Sequence, residues 1–353
     1  MPGIDEYLKE ILAKKGSDLH FLAGDPPRIR LYGDLQPLRP DKLDKDFVQQ
    51  TLYEIMPKTA VQRFEEHDGA DFAYNMGEYG RFRVNVMRQL NGMGAVMRAI
   101  PSKALTLQQL NLPPAIHQLC RANNGLILVT GKTGSGKSTT LAAMIDDINS
   151  RMKGHILTIE DPIEFVHRRK ECLISQREVG VHTKGFAAAL QSGLREDPDV
   201  VLVGELRDYE TISIAVTAAE MGILVMGTLH TNGAAQTVDR MVNVFPADKQ
   251  SHVRTMLSTS LRGVVSQQLL QKADKSGRVA ALEILVNTPA VSNLIRQGKL
   301  DQLETTMQSG SQFGMRTMDN AIEQLLKDRI ITGKEAYKKG ISKAKFEPVK
   351  DQG

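Results

Sequence analysis

The stretch Gly131-Lys132-Thr133-Gly134-Ser135-Gly136-Lys137-Ser138, followed by Thr139, decides the reading of this chain. It follows the apolar run Gly125 to Thr130 directly, and the spacing predicts a strand, a tight glycine turn and then a helix. Gly131, Gly134 and Gly136 let the backbone turn its amides inward around phosphate. The helix beginning near Lys137 adds its positive end, Lys137 reaches the β and γ phosphates, and Ser138 offers a hydroxyl to Mg²⁺. Nucleotide phosphate is therefore the expected ligand, with ATP and Mg²⁺ as the pair that such a loop takes.

Further apolar runs lie at Ile156 to Ile159, Val200 to Val203 and Ile223 to Thr228, separated by material of helix length. Near-continuous apolar strands alternating with helices predict a parallel sheet covered on both faces. Sites of such α/β sheets lie at the carboxyl ends of the strands, and three of these ends carry polar residues. Val200 to Val203 delivers Gly204-Glu205, with glycine where the second ATPase motif usually has aspartate, so Glu205 is left to hold Mg²⁺ directly or through water. Thr158-Ile159-Glu160-Asp161-Pro162-Ile163-Glu164 follows another strand. An acidic cluster of this kind is commonly a solvated loop, but beside a phosphate loop Glu164 reads as the base that positions an attacking water. The third end is Gly227-Thr228-Leu229-His230-Thr231-Asn232, where His230 is either structural or a donor to the γ phosphate.

Before residue 100 the pattern is different. Ile4, Leu8, Ile11 and Leu12 recur at helical spacing, Leu43 to Met56 and Thr59 to His67 read as helices, and short strands are expected at 19–22, 29–31, 70–75, 80–90 and 94–100. This predicts a small α+β domain over 1–100, a linker over 101–114 bracketed by Pro101, Pro113 and Pro114, and the α/β domain with a helical end over 115–353. In Arg81 to Val86, alternation sends Phe82, Val84 and Val86 to one face and Arg81, Arg83 and Asn85 to the other. Arg98 falls on the next strand. Such a basic face is either solvated or placed to meet phosphate.

The 353 residues carry 45 Lys and Arg against 41 Asp and Glu, an excess of +4 that argues for neither nucleic acid nor an anionic membrane as partner. Tryptophan is absent and aromatics are 5%, which leaves little to stack single-stranded bases on. Two cysteines, Cys120 and Cys172, are too few for a disulfide framework or a four-thiolate zinc site. No stretch approaches the ~20 apolar residues that span a bilayer. Asp5, Glu6, Lys9 and Glu10 occupy the region where a signal peptide would need an apolar run, so the cytoplasm is the expected compartment. The stretch 338–353 is basic and polar, and a solvated tail is expected there.

With these residues in view, the chain resembles the secretion-superfamily hexameric ATPases, and within them the type IV pilus retraction motors. The resemblance rests on the phosphate loop, the acidic box Thr158 to Glu164, Gly204-Glu205, the histidine box around His230, Ser17-Asp18-Leu19-His20, and Ala290-Val291-Ser292-Asn293-Leu294-Ile295-Arg296-Gln297. The late motif in those motors typically reads Ala-Ile-Arg-Asn-Leu-Ile-Arg-Glu, from which Val291, Ser292 and Gln297 depart. Extension motors and type II secretion ATPases are similar, but look longer at the amino end and usually carry a four-cysteine metal insertion. The resemblance implies a homohexamer of subunits with a PAS-like amino domain and a RecA-like core, ATP hydrolysis with Mg²⁺, and work in pilus retraction and twitching motility. It also implies arginines at Arg83 and Arg98 that clamp the γ phosphate, coupling through the 290–297 segment, and partners in the pilus machinery, among them an inner-membrane platform protein at whose cytoplasmic face the ring would sit. Neither nucleic acid nor membrane insertion is expected. An accessory retraction motor, a type II secretion ATPase, a nucleic-acid translocase and an ATP-gated assembly switch without turnover are the alternatives.

Overall fold

In the computed structural model, residues 3–31, 34–100 and 104–351 are described. The chain divides after residue 102 into two compact units.

The first unit is a six-stranded antiparallel sheet with helices packed on it. Its helices are α1 (Ile4–Ala13), α2 (Lys45–Ile55) and α3 (Lys58–His67). Its strands are β1 (Asp18–Leu22), β2 (Arg28–Leu31), β3 (Asp34–Pro37), β4 (Gly69–Asn75), β5 (Arg81–Gln89) and β6 (Gly92–Ile100), in the order β3-β2-β1-β6-β5-β4. Alternation explains which face is covered. Phe82, Val84 and Val86 of β5 join Met93, Ala95 and Met97 of β6 in a core closed by Ile4, Leu8 and Ile11 of α1 and Val48 and Leu52 of α2. Asp44 starts α2 by accepting the amides of Asp46 and Phe47. The opposite face carries a row of charges fixed by register: Arg30 lies beside Asp18, Asp18 beside Arg98, and Arg98 beside Arg83.

The second unit holds a seven-stranded sheet in the order β13-β12-β7-β11-β10-β8-β9. Its strands are β7 (Gly125–Thr130), β8 (His155–Glu160), β9 (Leu173–Glu178), β10 (Val200–Val203), β11 (Leu224–Leu229), β12 (Leu261–Gln271) and β13 (Arg278–Val286). All pairings are parallel except β12 with β13. Strands β7, β10 and β11 are buried along their whole length, which is why they read as unbroken apolar runs. Alternate residues of β7 feed opposite cores: Leu126 and Leu128 face one, Ile127 and Val129 the other. The second is packed by α4 (Pro114–Leu119) and α5 (Lys137–Asn149). The first takes α6 (Phe186–Gly193), α7 (Tyr209–Glu220), α8 (Ala234–Asn243), α9 (Ala247–Ser260), α10 (Pro289–Gln297) and α11 (Leu303–Ser309). Along the β12–β13 edge a further core gathers α12 (Met318–Lys327), α13 (Gly333–Lys339) and α14 (Lys343–Phe346).

Several expectations change. Strands β3, β9, β12 and β13 are additional to the strands read from sequence. Of the expected linker, Pro101 to Lys103 lie outside the described residues, while Leu107 and Leu112 are buried in the second unit's core. The expected solvated tail is folded to residue 351: Phe346 is buried, and the Asp319 carboxylate accepts the amides of Ile341 and Ser342 at 2.7 and 2.9 Å. Charge on exposed lysines hid a single buried aromatic anchor. The late motif is helix α10, started by Thr288 and ended by Gly298 at φ +72, with Val291 and Ile295 fully buried and Leu294 partly so. Among the described residues no helix is long and apolar enough to cross a membrane.

Candidate active site

Parallel pairing brings four strand ends to one edge. Thr130 of β7 lies beside Leu229 of β11, and Val203 of β10 lies between Gly227 and Ile159. The chain leaves these ends as the glycine loop, His230, Gly204-Glu205 and the acidic box.

Backbone geometry makes the loop a cradle. Gly131, Gly134 and Gly136 have φ of +138, +78 and +90, where a side chain is strained. At Gly131 a Cβ would come 2.3 Å from the Gln267 carbonyl oxygen, and at Gly136 one would come 2.7 Å from Gln267 Nε2. Gln267 of β12 is the pin of this loop, a residue the sequence reading passed over. Its Nε2 donates to the Ser135 carbonyl at 2.7 Å, and its Oε1 accepts the Thr140 hydroxyl at 2.7 Å, so the loop and the first turn of α5 are tied to a buried strand. Polar residues inside the run Val264-Val265-Ser266-Gln267-Gln268-Leu269-Leu270 were the available signal.

Lys137 is buried at the base of α5, and its Nζ donates to the Gly131 and Lys132 carbonyls at 2.8 and 3.2 Å. Burial pushes its pKa down, and the Glu205 charge opposes that shift. Ser135 Oγ is buried in the cradle and has no hydrogen-bond partner among the described residues. An ammonium resting on carbonyls and an unmet hydroxyl both suit a phosphate. Lys132, Thr133, Gly134 and Ser138 are exposed, Gly136 and Thr139 half-buried. Beside the loop a cleft of about 930 Å³ is lined by Gly136, Thr139, Leu112, Leu269, Arg278 and Arg329, among others.

Glu205 pairs with Arg207 Nε at 2.6 Å and with His230 Nε2 at 3.2 Å. Burial works to raise its carboxyl, but Arg207 and His230 outweigh it and hold the group below the usual range, so it stays a carboxylate. His230 is thus brought onto Glu205 from the neighbouring strand. Gly204 has a steric reason: a Cβ there would lie 3.2 Å from both Glu160 Cα and the Ile159 carbonyl oxygen, so the usual aspartate would press on the backbone at the end of β8.

In the acidic box the buried member is Glu160, which sequence reasoning had not singled out. Burial pushes its pKa up, against the Thr158 hydroxyl donating at 2.6 Å and the Glu164 amide at 3.2 Å. Glu164 is exposed, after a cis Asp161–Pro162 peptide.

Arg83 and Arg98 belong to the first unit, directly opposite one another on β5 and β6. Arg98 is already engaged: its Nε donates to Asp18 Oδ1 at 2.8 Å. Burial raises the Asp18 carboxyl, yet the Ser17 hydroxyl and Arg98 overcome it and keep the pKa low. Arg83 lies 3.9 Å from Asp71, and Arg81 is half-buried.

This chain is 50% identical over 328 residues to the type IV pilus retractation ATPase PilT of Pseudomonas aeruginosa, covering 93% of this chain and 95% of that protein. It is 48% identical over 313 residues to a twitching motility protein of Neisseria gonorrhoeae, covering 89% and 84%. A crystal structure of the pilus retraction motor PilT with bound ADP superimposes with a TM-score of 0.91 at 43% identity, covering 97% of this chain and 98% of that one. The sequence pattern of the family described as Type II/IV secretion system protein matches residues 1–338, and with relatives this similar along almost its whole length, the chain belongs to that family.

Proposed function

We propose that this protein is an Mg²⁺-dependent ATPase that works as a homohexameric motor in type IV pilus retraction. The observation that carries the reading is the phosphate cradle Gly131–Ser138 sharing a sheet edge with a carboxylate, Glu205, held ionised by His230 and Arg207. A cradle binds phosphate; a positioned carboxylate beside it is what hydrolysis adds.

In this account the amides of residues 131–139 hold the triphosphate, and Lys137 turns from the Gly131 and Lys132 carbonyls to the β and γ phosphates. Ser138 and Glu205 would hold Mg²⁺, which neutralises charge on the phosphate oxygens when bound. Glu164 orients water and takes its proton, while His230 donates to the γ phosphate and keeps Glu205 in place. The base and sugar take the cleft between Leu112 and Leu269. Arg83 and Arg98 clamp the terminal phosphate from the amino-terminal unit, and its loss on hydrolysis frees that unit to swing. Helix α10 passes the movement on toward the pilus machinery, including a platform protein at the cytoplasmic face of the inner membrane.

A strain lacking this chain tests the assignment. Hyperpiliated cells without twitching motility are the expected result, and bald cells would contradict retraction. Normal piliation with weakened twitching would point to an accessory motor.

A further inference from the structure

The stretch between β8 and β9 carries Glu164, yet it is neither helix nor strand. Among the described residues, no backbone–backbone hydrogen bond begins or ends between residues 162 and 170. Peptide groups near a core need partners, and here side chains provide them: Asn149 of α5 donates to the Arg168 carbonyl at 2.8 Å and accepts the Lys170 amide at 3.2 Å, and nearer Glu164 the two flanking strands serve. The Ile163 amide donates to Glu178 Oε2 at 3.1 Å, the Glu164 amide to Glu160 Oε2 at 3.2 Å, and the His167 amide to Gln176 Oε1 at 2.8 Å. Gln176 Nε2 donates in turn to the Phe165 carbonyl at 2.9 Å and to Glu160 Oε1 at 3.3 Å.

Gln176 therefore holds the chain on the far side of Glu164 at two points, and holds the carboxylate that grips Glu164 from the near side. Apolar packing does less here, since Ile163 is buried but Val166 is 40% exposed. A loop without a ladder takes its position from such side chains, and an error of about 1 Å at a reacting group can cost ~10² in rate. We infer that Gln176 on β9, backed by Glu160 and Glu178, is the positioning residue that sets where Glu164 stands. The inference rests on the reading of Glu164 as the group that orients the attacking water.

The test uses the full chain with Gln176→Leu, which keeps side-chain bulk but neither donates nor accepts. The expected result is a kcat for ATP roughly 10- to 100-fold lower, with KM and affinity for a non-hydrolysable ATP analogue within about twofold. In a Glu164→Gln background the same change should cost less than about twofold further, because it acts through Glu164. If Glu164→Gln abolishes turnover while Gln176→Leu leaves kcat intact, the positioning role is overturned and the base reading stands. If Glu164→Gln itself turns over normally, the base reading falls and takes the inference with it. A Gln176→Leu variant losing kcat, nucleotide affinity and thermal stability together marks a merely structural residue, which also overturns the inference. Hydrogen exchange on the unaltered chain decides the matter should that variant fail to fold: slow amides at Ile163, Glu164 and His167 support the clamp, and exchange at open-loop rates refutes it.

Discussion

Arg98→Ala removes two interactions at once, and their sizes differ enough to be separated. In the amino-terminal unit the guanidinium donates to Asp18, a residue only 3% exposed. Truncation leaves that carboxylate with the Ser17 hydroxyl at 2.6 Å and Arg30 at 4.0 Å. A hydrogen bond to a charged group is worth roughly 1.5–3 kcal/mol, but the Arg98 side chain is 67% exposed, which screens the pair toward the surface range of about 0–1 kcal/mol. The expected loss is about 1–2 kcal/mol, or roughly 5–15 °C in the melting of a unit this size. Against a total of roughly 5–15 kcal/mol the unit stays folded at 25 °C. An arginine on a transferring phosphoryl group is worth ~10³ to 10⁵ in rate, so lost turnover on that scale cannot come from unfolding.

Arg83→Ala separates the effects, because its carboxylate neighbour Asp71 is 3.9 Å away and both side chains are exposed. It should lose turnover with its melting unchanged. Calorimetry of the amino-terminal transition and steady-state phosphate release measure the two quantities. Turnover of Arg98→Ala within about fivefold of the unaltered chain would refute the arginine clamp. Unchanged melting would refute the contribution of the Asp18 pair.

Gln267→Leu strands the Ser135 carbonyl and the Thr140 hydroxyl in a buried site, at roughly 1–3 kcal/mol each; ADP should bind at least ~10-fold more weakly by calorimetry, and unchanged affinity would show that the loop needs no pin. Gly204→Asp restores the usual motif but presses the carboxyl end of β8, so kcat should fall at least ~10-fold; a gain in turnover would contradict the steric account. Burial presses the His167 imidazole from 6.5 down to about 4, with Asp146 opposing and Lys170 adding to the shift. Its unfolded form takes up the proton first as pH falls, so stability is fully present above pH 6.5 and declines toward pH 4, by on the order of 3 kcal/mol. Denaturant midpoints across that window should slope in the unaltered chain and flatten in His167→Gln.

The phosphate loop was legible because its demands fall on the backbone, and glycine meets them without strain at Gly131, Gly134 and Gly136. The central strands were legible for a related reason, as strands buried on both faces must be apolar throughout. The sheet's periphery was not. Strand β9 reads Leu-Ile-Ser-Gln-Arg-Glu, with neither alternation nor an apolar run, since Gln176 and Glu178 serve the acidic loop and not a core. Strand β13 buries Glu283, which looks misplaced in a strand until its carboxylate is seen to accept the amides of Ala234 and Met318 at the starts of α8 and α12. Alternation correctly sent Arg83 outward, but could not show Asp18 beside Arg98, because that register joins strands some 80 residues apart. Residues that act by holding backbone from a distance leave no periodic trace.

Glu205→Ala is the most direct test that the edge shared by the cradle and Glu205 performs hydrolysis and not binding alone. ATP turnover and ATP affinity should be measured on the same preparation. The account predicts turnover reduced at least ~10²-fold with ATP still bound. Turnover equal to that of the unaltered chain would contradict it.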